Sequence, residues 1–112
     1  MDNKTVLETI VRSLEDKKGR DIKVLDISGI SILSDYFILV SGSNKNQIDA
    51  MVDDILEKLH MIGVYPKNIE GRTSAWILMD FGDIIVHIFD EESRSFYDLE
   101  RIWRDSKEIA VN

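Results

Sequence analysis

Apolar residues recur along this chain with two different periods, and the switches between them mark the elements. Val6, Leu7, Ile10, Val11 and Leu14 follow helical spacing behind Asp2 or Asn3, either of which suits a helix cap. The mixed run Glu15-Asp16-Lys17-Lys18 reads as the solvated end of that helix, with Gly19 at its C′ position. Residues 21–27 alternate in part and predict a first strand, closed by a Ser28-Gly29 turn. Residues 35–41 are almost continuously apolar and β-branched or aromatic, the pattern of a central strand covered on both faces. After Ser41-Gly42-Ser43, Asn44 and Gln47 form a capping-box-like start to the longest helix. Ile48, Met51, Val52, Ile55, Leu56 and Leu59 give that helix one apolar stripe, and Gly63 and Pro66 end it.

A short strand at 67–70 and a polar connection at 71–74 lead to two strands, 75–81 and 84–89, joined by Gly82-Asp83. Gly first in a two-residue loop is the signature of a tight hairpin turn, and that loop length fixes the register. Phe81 faces Ile84, Met79 faces Val86 and Ile77 faces Ile88 on one side. On the other, Asp80 faces Ile85, Leu78 faces His87 and Trp76 faces Phe89. The first face is apolar throughout and predicts core, whereas the second is mixed and predicts a partly covered surface. Asp90-Glu91-Glu92-Ser93 then places acids where a helix dipole favours them. Phe96, Leu99, Ile102 and Trp103 supply the apolar side of this last helix, and the tail beyond Ser106 is expected to be loosely held. The order predicts an α/β (α+β) domain spanning 1–112: a mixed sheet of about five strands, two long helices packed on it and a short C-terminal helix.

At 112 residues the chain holds one core, burying roughly 65% of its unfolded surface. It has no cysteine, so disulfides, thiolate catalysis and cysteine-ligated metals are excluded. No apolar stretch approaches the roughly 18 residues that span a bilayer, and the first residues lack a leader pattern. A cytoplasmic protein without membrane contact is therefore expected. The net charge of −7 argues against sequence-independent nucleic-acid binding and leaves little direct RNA contact to expect.

His87 has Asp80, Asp83, Asp90 and Glu91 near it in sequence, which raises a metal or acid–base reading. The hairpin register weakens it, because Asp80 lies two pair positions away and Asp83 sits at the turn. A histidine held by hydrogen bonds on a half-covered sheet face fits better. Ser41-Gly42-Ser43 resembles the Gly-Ser turn of nucleotidyltransferases, whose chemistry needs paired acids on an adjacent strand. The adjacent pair Asp53-Asp54 falls in mid-helix instead. No Walker-type loop, His-Glu-x-x-His helix or Gly-x-Ser-x-Gly elbow occurs, so no catalytic residue, metal ligand or cofactor is assigned. Trp76 with apolar neighbours inside a polar rim has the composition of an interface anchor.

An ordered set of residues carries a resemblance across nearly the whole chain. It runs through Val24-Leu25-Asp26, Asp35-Tyr36-Phe37, Ser41-Gly42-Ser43, Glu70-Gly71, Trp76, Asp80 with Gly82-Asp83, and Val86-His87-Ile88-Phe89. It continues from Arg94 through Phe96-Tyr97-Asp98-Leu99-Glu100 to Trp103. The sequence resembles the ribosomal silencing factor, or Iojap-like, family. The resemblance implies a nucleotidyltransferase-like fold without the catalytic acids. It implies a non-enzymatic translational repressor that binds the large ribosomal subunit through its fourteenth protein and blocks joining of the small subunit in nutrient limitation. It places the contact at Trp76 and Ile77. Alternation instead puts Ile77 on the core face and favours Trp76, Leu78 and Asp80, with His87 and Phe89 completing the candidate partner-binding set. Two alternatives stay open: a divergent nucleotidyltransferase-like nucleotide-binding protein, and a homodimer formed through the mixed face.

Overall fold

The computed structural model describes residues 2–111 and leaves Met1 and Asn112 outside the description. Helix α1 (Asn3–Asp16) starts where the Asp2 carboxylate accepts the Thr5 N–H at 2.7 Å. Its end differs from expectation. Lys18, at φ 64°, occupies the left-handed C′ position, and Gly19 is the next residue, its N–H donating to the Leu14 carbonyl at 2.8 Å. Gly19 is needed for room, because a Cβ there would stand 2.7 Å from Val40 Cγ2.

Strand β1 (Arg20–Asp26) runs antiparallel to β2 (Tyr36–Gly42), with an irregularity between Arg20 and Lys23 where Asp21 takes φ 50°. Helix α2 (Lys45–Met61) is capped by Asn44, whose side chain accepts the Gln47 N–H at 2.9 Å. The reciprocal bond goes one residue further back than a capping box requires: Gln47 Oε1 accepts from Ser43 N–H at 2.6 Å. Gln47 Nε2 donates to the Lys17 and Lys18 carbonyls, fastening the start of α2 to the end of α1. Gly63, at φ 78°, closes α2 as expected, with its N–H on the His60 carbonyl and Val64 N–H on that of Leu59.

Strands β3 (Asn68–Glu70), β4 (Trp76–Asp80) and β5 (Ile84–Asp90) follow, then α3 (Glu91–Tyr97), α4 (Leu99–Ile102) and β6 (Lys107–Ile109). The sheet order is β3-β4-β5-β2-β1-β6, with β2 and β5 parallel and the remaining pairs antiparallel. It is the expected mixed sheet with β2 inside it, but with six strands among the described residues. The additional one is β6, so the segment beyond Ser106 is an edge strand on β1, pairing Ile109 with Val24 and Lys107 with Asp26. Three residues with a single apolar side chain carry no alternation, and only the free edge of β1 makes them a strand.

Alternation divides the sheet between two cores. Val24, Ile38, Val40, Ile77, Met79, Val86 and Ile88 face the stripes of α1 and α2. Leu25, Phe37, Leu39 and Phe89 face the other way, under Leu99 of α4 and beside Trp76 and Trp103. The last helix is broken at Asp98, whose φ of 49° is a left-handed conformation that aspartate tolerates better than most residues. The break turns Leu99 and Trp103 onto β1 and β2. It leaves Phe96 and Ile102, expected to face inward, 79% and 67% exposed.

Candidate functional site: a half-covered aromatic face

The β4–β5 hairpin has the register that its loop length dictates. Trp76 pairs with Phe89, Ile77 with Ile88, Leu78 with His87, Met79 with Val86 and Asp80 with Ile85. Gly82 takes φ 89°, Phe81 N–H donates to the Ile84 carbonyl at 2.9 Å, and Asp80 Oδ1 accepts the Gly82 N–H at 2.8 Å. Asp80 therefore braces its own turn. The Asp83 carbonyl accepts from the Ser34 hydroxyl and from Asp35 and Tyr36 N–H, each at 2.9 Å, which ties the turn to the start of β2.

On the outer side of this hairpin Trp76, Leu78, Asp80 and Ile85 are half-buried. The other three candidate residues present almost no surface. Ile77 is 0% exposed and belongs to the core against the long helices, because β-strand alternation turns it away from Trp76. His87 at 4% and Phe89 at 1% lie beneath the aromatic cover instead of on its surface. The Trp76 ring stacks on Phe89 at 5.2 Å and 27° and meets Tyr97 at 4.7 Å, and Tyr97 contacts Phe96 edge-on at 5.1 Å. Phe37 lies edge-to-face with His87 at 4.6 Å and with Trp103 at 5.1 Å. Tyr97 was missed by sequence reasoning, although an adjacent Phe-Tyr pair one short helix beyond the hairpin was a usable signal.

His87 is chemically quiet. Its Nδ1 accepts the indole N–H of Trp76 at 3.1 Å, and its Nε2 has no hydrogen-bond partner among the described residues. Burial pushes its pKa down to about 4, so the ring is neutral at pH 7. Among the described residues no three His, Cys, Asp or Glu side chains come together as a metal site. The Gly-Ser turn is engaged in packing. Ser41 Oγ accepts from the Arg94 guanidinium at 3.1 Å, and a Cβ on Gly42 would lie 2.6 Å from Ile48 Cγ1. Arg94, expected on a mixed-charge helix surface, is only 7% exposed. It also bonds Glu100 at 3.2 Å, holding α3 and α4 to the sheet. Asp53 and Asp54 face Arg72 and Lys58 respectively.

Fold and site together define a mixed-sheet α+β domain with two long helices on one side and, on the other, an aromatic face that short helices only half cover. The sequence matches, over residues 1–112, the family described as ribosomal silencing factor during starvation, and the chain belongs to that family. It is 36% identical over 107 residues to the ribosomal silencing factor RsfS of Bacillus subtilis, covering 95% of this chain and 91% of that protein. It is 29% identical over 102 residues to a mouse protein named mitochondrial assembly of ribosomal large subunit protein 1, covering 87% of this chain and 44% of the relative. The crystal structure of a Chromobacterium violaceum protein superposes with a TM-score of 0.89 at 30% identity, covering 99% of this chain and 92% of that one.

Proposed function

We propose that this chain is a cytoplasmic, non-enzymatic translational repressor. It binds the large ribosomal subunit through that subunit's fourteenth protein and sterically blocks joining of the small subunit, lowering translation when nutrients are limited. The observation that carries this reading is Trp76, a large anchor residue left half-buried on an otherwise ordered face, with Leu78 next on that face of its strand and the Asp80–Ile85 pair beyond it at the polar rim. Family membership and the names of the relatives support the ribosomal target. The net charge of −7 favours encounter with a basic ribosomal protein over bare RNA. Within the candidate set the partner touches Trp76, Leu78 and Asp80, while His87 and Phe89 shape the face from beneath and Ile77 belongs to the opposite side of the sheet.

Sucrose-gradient sedimentation tests the reading. The purified chain should travel with isolated large subunits and deplete joined ribosomes, and Trp76→Glu should do neither. A wild-type chain that stays at the top of the gradient and leaves the joined peak unchanged overturns it. A second reading, a symmetric homodimer through the same face, draws on the exposed Phe96 and Ile102 near the aromatic cluster. Sedimentation of Trp76→Ala tests it, since an unchanged association state removes this face as the dimer contact.

A further inference from the structure

The Trp76 indole has one polar atom, and that atom is spent inside the molecule, 3.1 Å from His87 Nδ1. Accepting the indole N–H requires a lone pair on Nδ1, so the imidazole is the neutral tautomer with its proton on Nε2. Burial keeps it neutral. Nε2 has no partner among the described residues, so this histidine leaves a buried donor unsatisfied, a cost that phenylalanine in the same volume would not carry. Its one side-chain hydrogen bond is the compensation.

The neighbouring aromatic rings meet the indole through apolar contact: Phe89 stacked at 5.2 Å and Tyr97 tilted by 45° at 4.7 Å. Such contacts discriminate poorly between the ring and the same ring turned over about χ2. The hydrogen bond does discriminate, since only one orientation brings Nε1 to His87. With the N–H turned inward, the part of the half-buried ring left for a partner is hydrocarbon.

We infer that His87 is a positioning residue for Trp76: by taking up the indole N–H it fixes the ring orientation, so that the partner feature receiving Trp76 is an apolar cleft and not a hydrogen-bond acceptor. The partner half of this inference rests on the docking role proposed above.

The test uses the full chain, purified large subunits, and the variants His87→Phe, His87→Asn, Trp76→Phe and the double variant His87→Phe with Trp76→Phe. In the wild type the Trp76 indole N–H, assigned by its loss in Trp76→Phe, should exchange slowly with solvent in NMR spectra. His87→Phe should speed that exchange and weaken subunit binding, each about tenfold, as expected for one lost hydrogen bond. In the Trp76→Phe background the same change should have no further effect on binding. His87→Asn keeps an acceptor oxygen near the Nδ1 position and should recover part of both losses, which loss of packing alone would not allow. Unchanged N–H exchange in His87→Phe overturns the inference, as does an equal loss of binding with Trp76 present or absent. Should the wild type fail to bind large subunits, the docking reading and the apolar-cleft claim fall together, and the exchange measurement still decides the positioning role.

Discussion

Ile77 and Leu78 are adjacent in the chain and lie on opposite sides of the sheet: Ile77 is fully buried against Ile88 under the long helices, whereas Leu78 stands half-exposed opposite His87. Under the proposed docking role, stability and binding therefore separate at this pair. Ile77→Ala should cost about 2–5 kcal/mol in denaturant unfolding, the range for a large core aliphatic truncated to alanine. Any loss of subunit binding should follow only from unfolding. Leu78→Ala should cost less than about 1.5 kcal/mol of stability and weaken large-subunit binding in the folded protein. The reverse pattern, with binding lost in a still-folded Ile77→Ala and kept in Leu78→Ala, would move the interface to the other face.

The hairpin was legible in the sequence because its two-residue loop leaves one register, and each side chain then has one face available. Trp76, Leu78 and Asp80 could be placed on the outer face in this way, and so could Ile77 on the inner one. The depth of burial could not be read. His87 and Phe89 share the outer face with Trp76, but α3 and α4 lie over that end of the sheet, and their path depends on the left-handed turn at Asp98. An uninterrupted helical period through Phe96, Leu99 and Ile102 hides that turn. Strand β6 escaped for a related reason: its pairing with β1 is a long-range event, and Lys107-Glu108-Ile109 has no pattern of its own. Arg94 looked like surface charge because its partners Ser41 and Glu100 lie on other elements.

At the end of α1 the roles of two neighbouring residues invite opposite substitutions. Gly19→Ala places a Cβ 2.7 Å from Val40 Cγ2 and 3.1 Å from the Leu14 carbonyl, so it should destabilise the fold by about 1–3 kcal/mol, as overpacking does. Lys18→Gly relieves a left-handed conformation at φ 64° and should stabilise by roughly 1 kcal/mol. Thermal unfolding of the two variants checks both signs. A neutral Gly19→Ala would mean that Val40 can move aside without cost.

Ser13 and Asp54 join the two long helices through a 2.6 Å hydrogen bond, and Lys58 bridges Asp54 to Asp16. Burial raises the Asp54 pKa, but hydrogen bonds from Lys58 and Ser13 and the Lys58 charge outweigh it and hold the carboxyl below its ordinary value. A carboxylate favoured in the folded state contributes stability above its unfolded pKa of about 3.9 and loses that contribution as pH falls through the folded value. Ser13→Ala should cost about 1 kcal/mol at pH 7 and flatten this acid limb. Urea midpoints measured from pH 5 to 2 check it, and parallel limbs in wild type and variant would remove Ser13 from the linkage.

His87 sets a pH dependence in a different window. The unfolded chain binds a proton on this residue near pH 6.5, whereas the folded chain resists protonation down to about 4. Between those values the unfolded state holds more protons, so stability falls as pH is lowered from 6.5 toward 4, by up to ~3 kcal/mol at the lower limit. Protonation would also place a donor on Nδ1 against the donor on Trp76 Nε1, breaking the one bond that fixes the indole. His87→Phe should have lower stability than wild type at pH 7 only to the extent that the hydrogen bond and ring fit matter, and should lack this limb. The stability of His87→Phe relative to wild type, read from urea midpoints, should therefore rise as pH falls from 7 to 4. Superimposable slopes over that interval would show that His87 takes up its proton in the folded state at an ordinary pKa, and with that the neutral, buried acceptor beneath Trp76 would be lost.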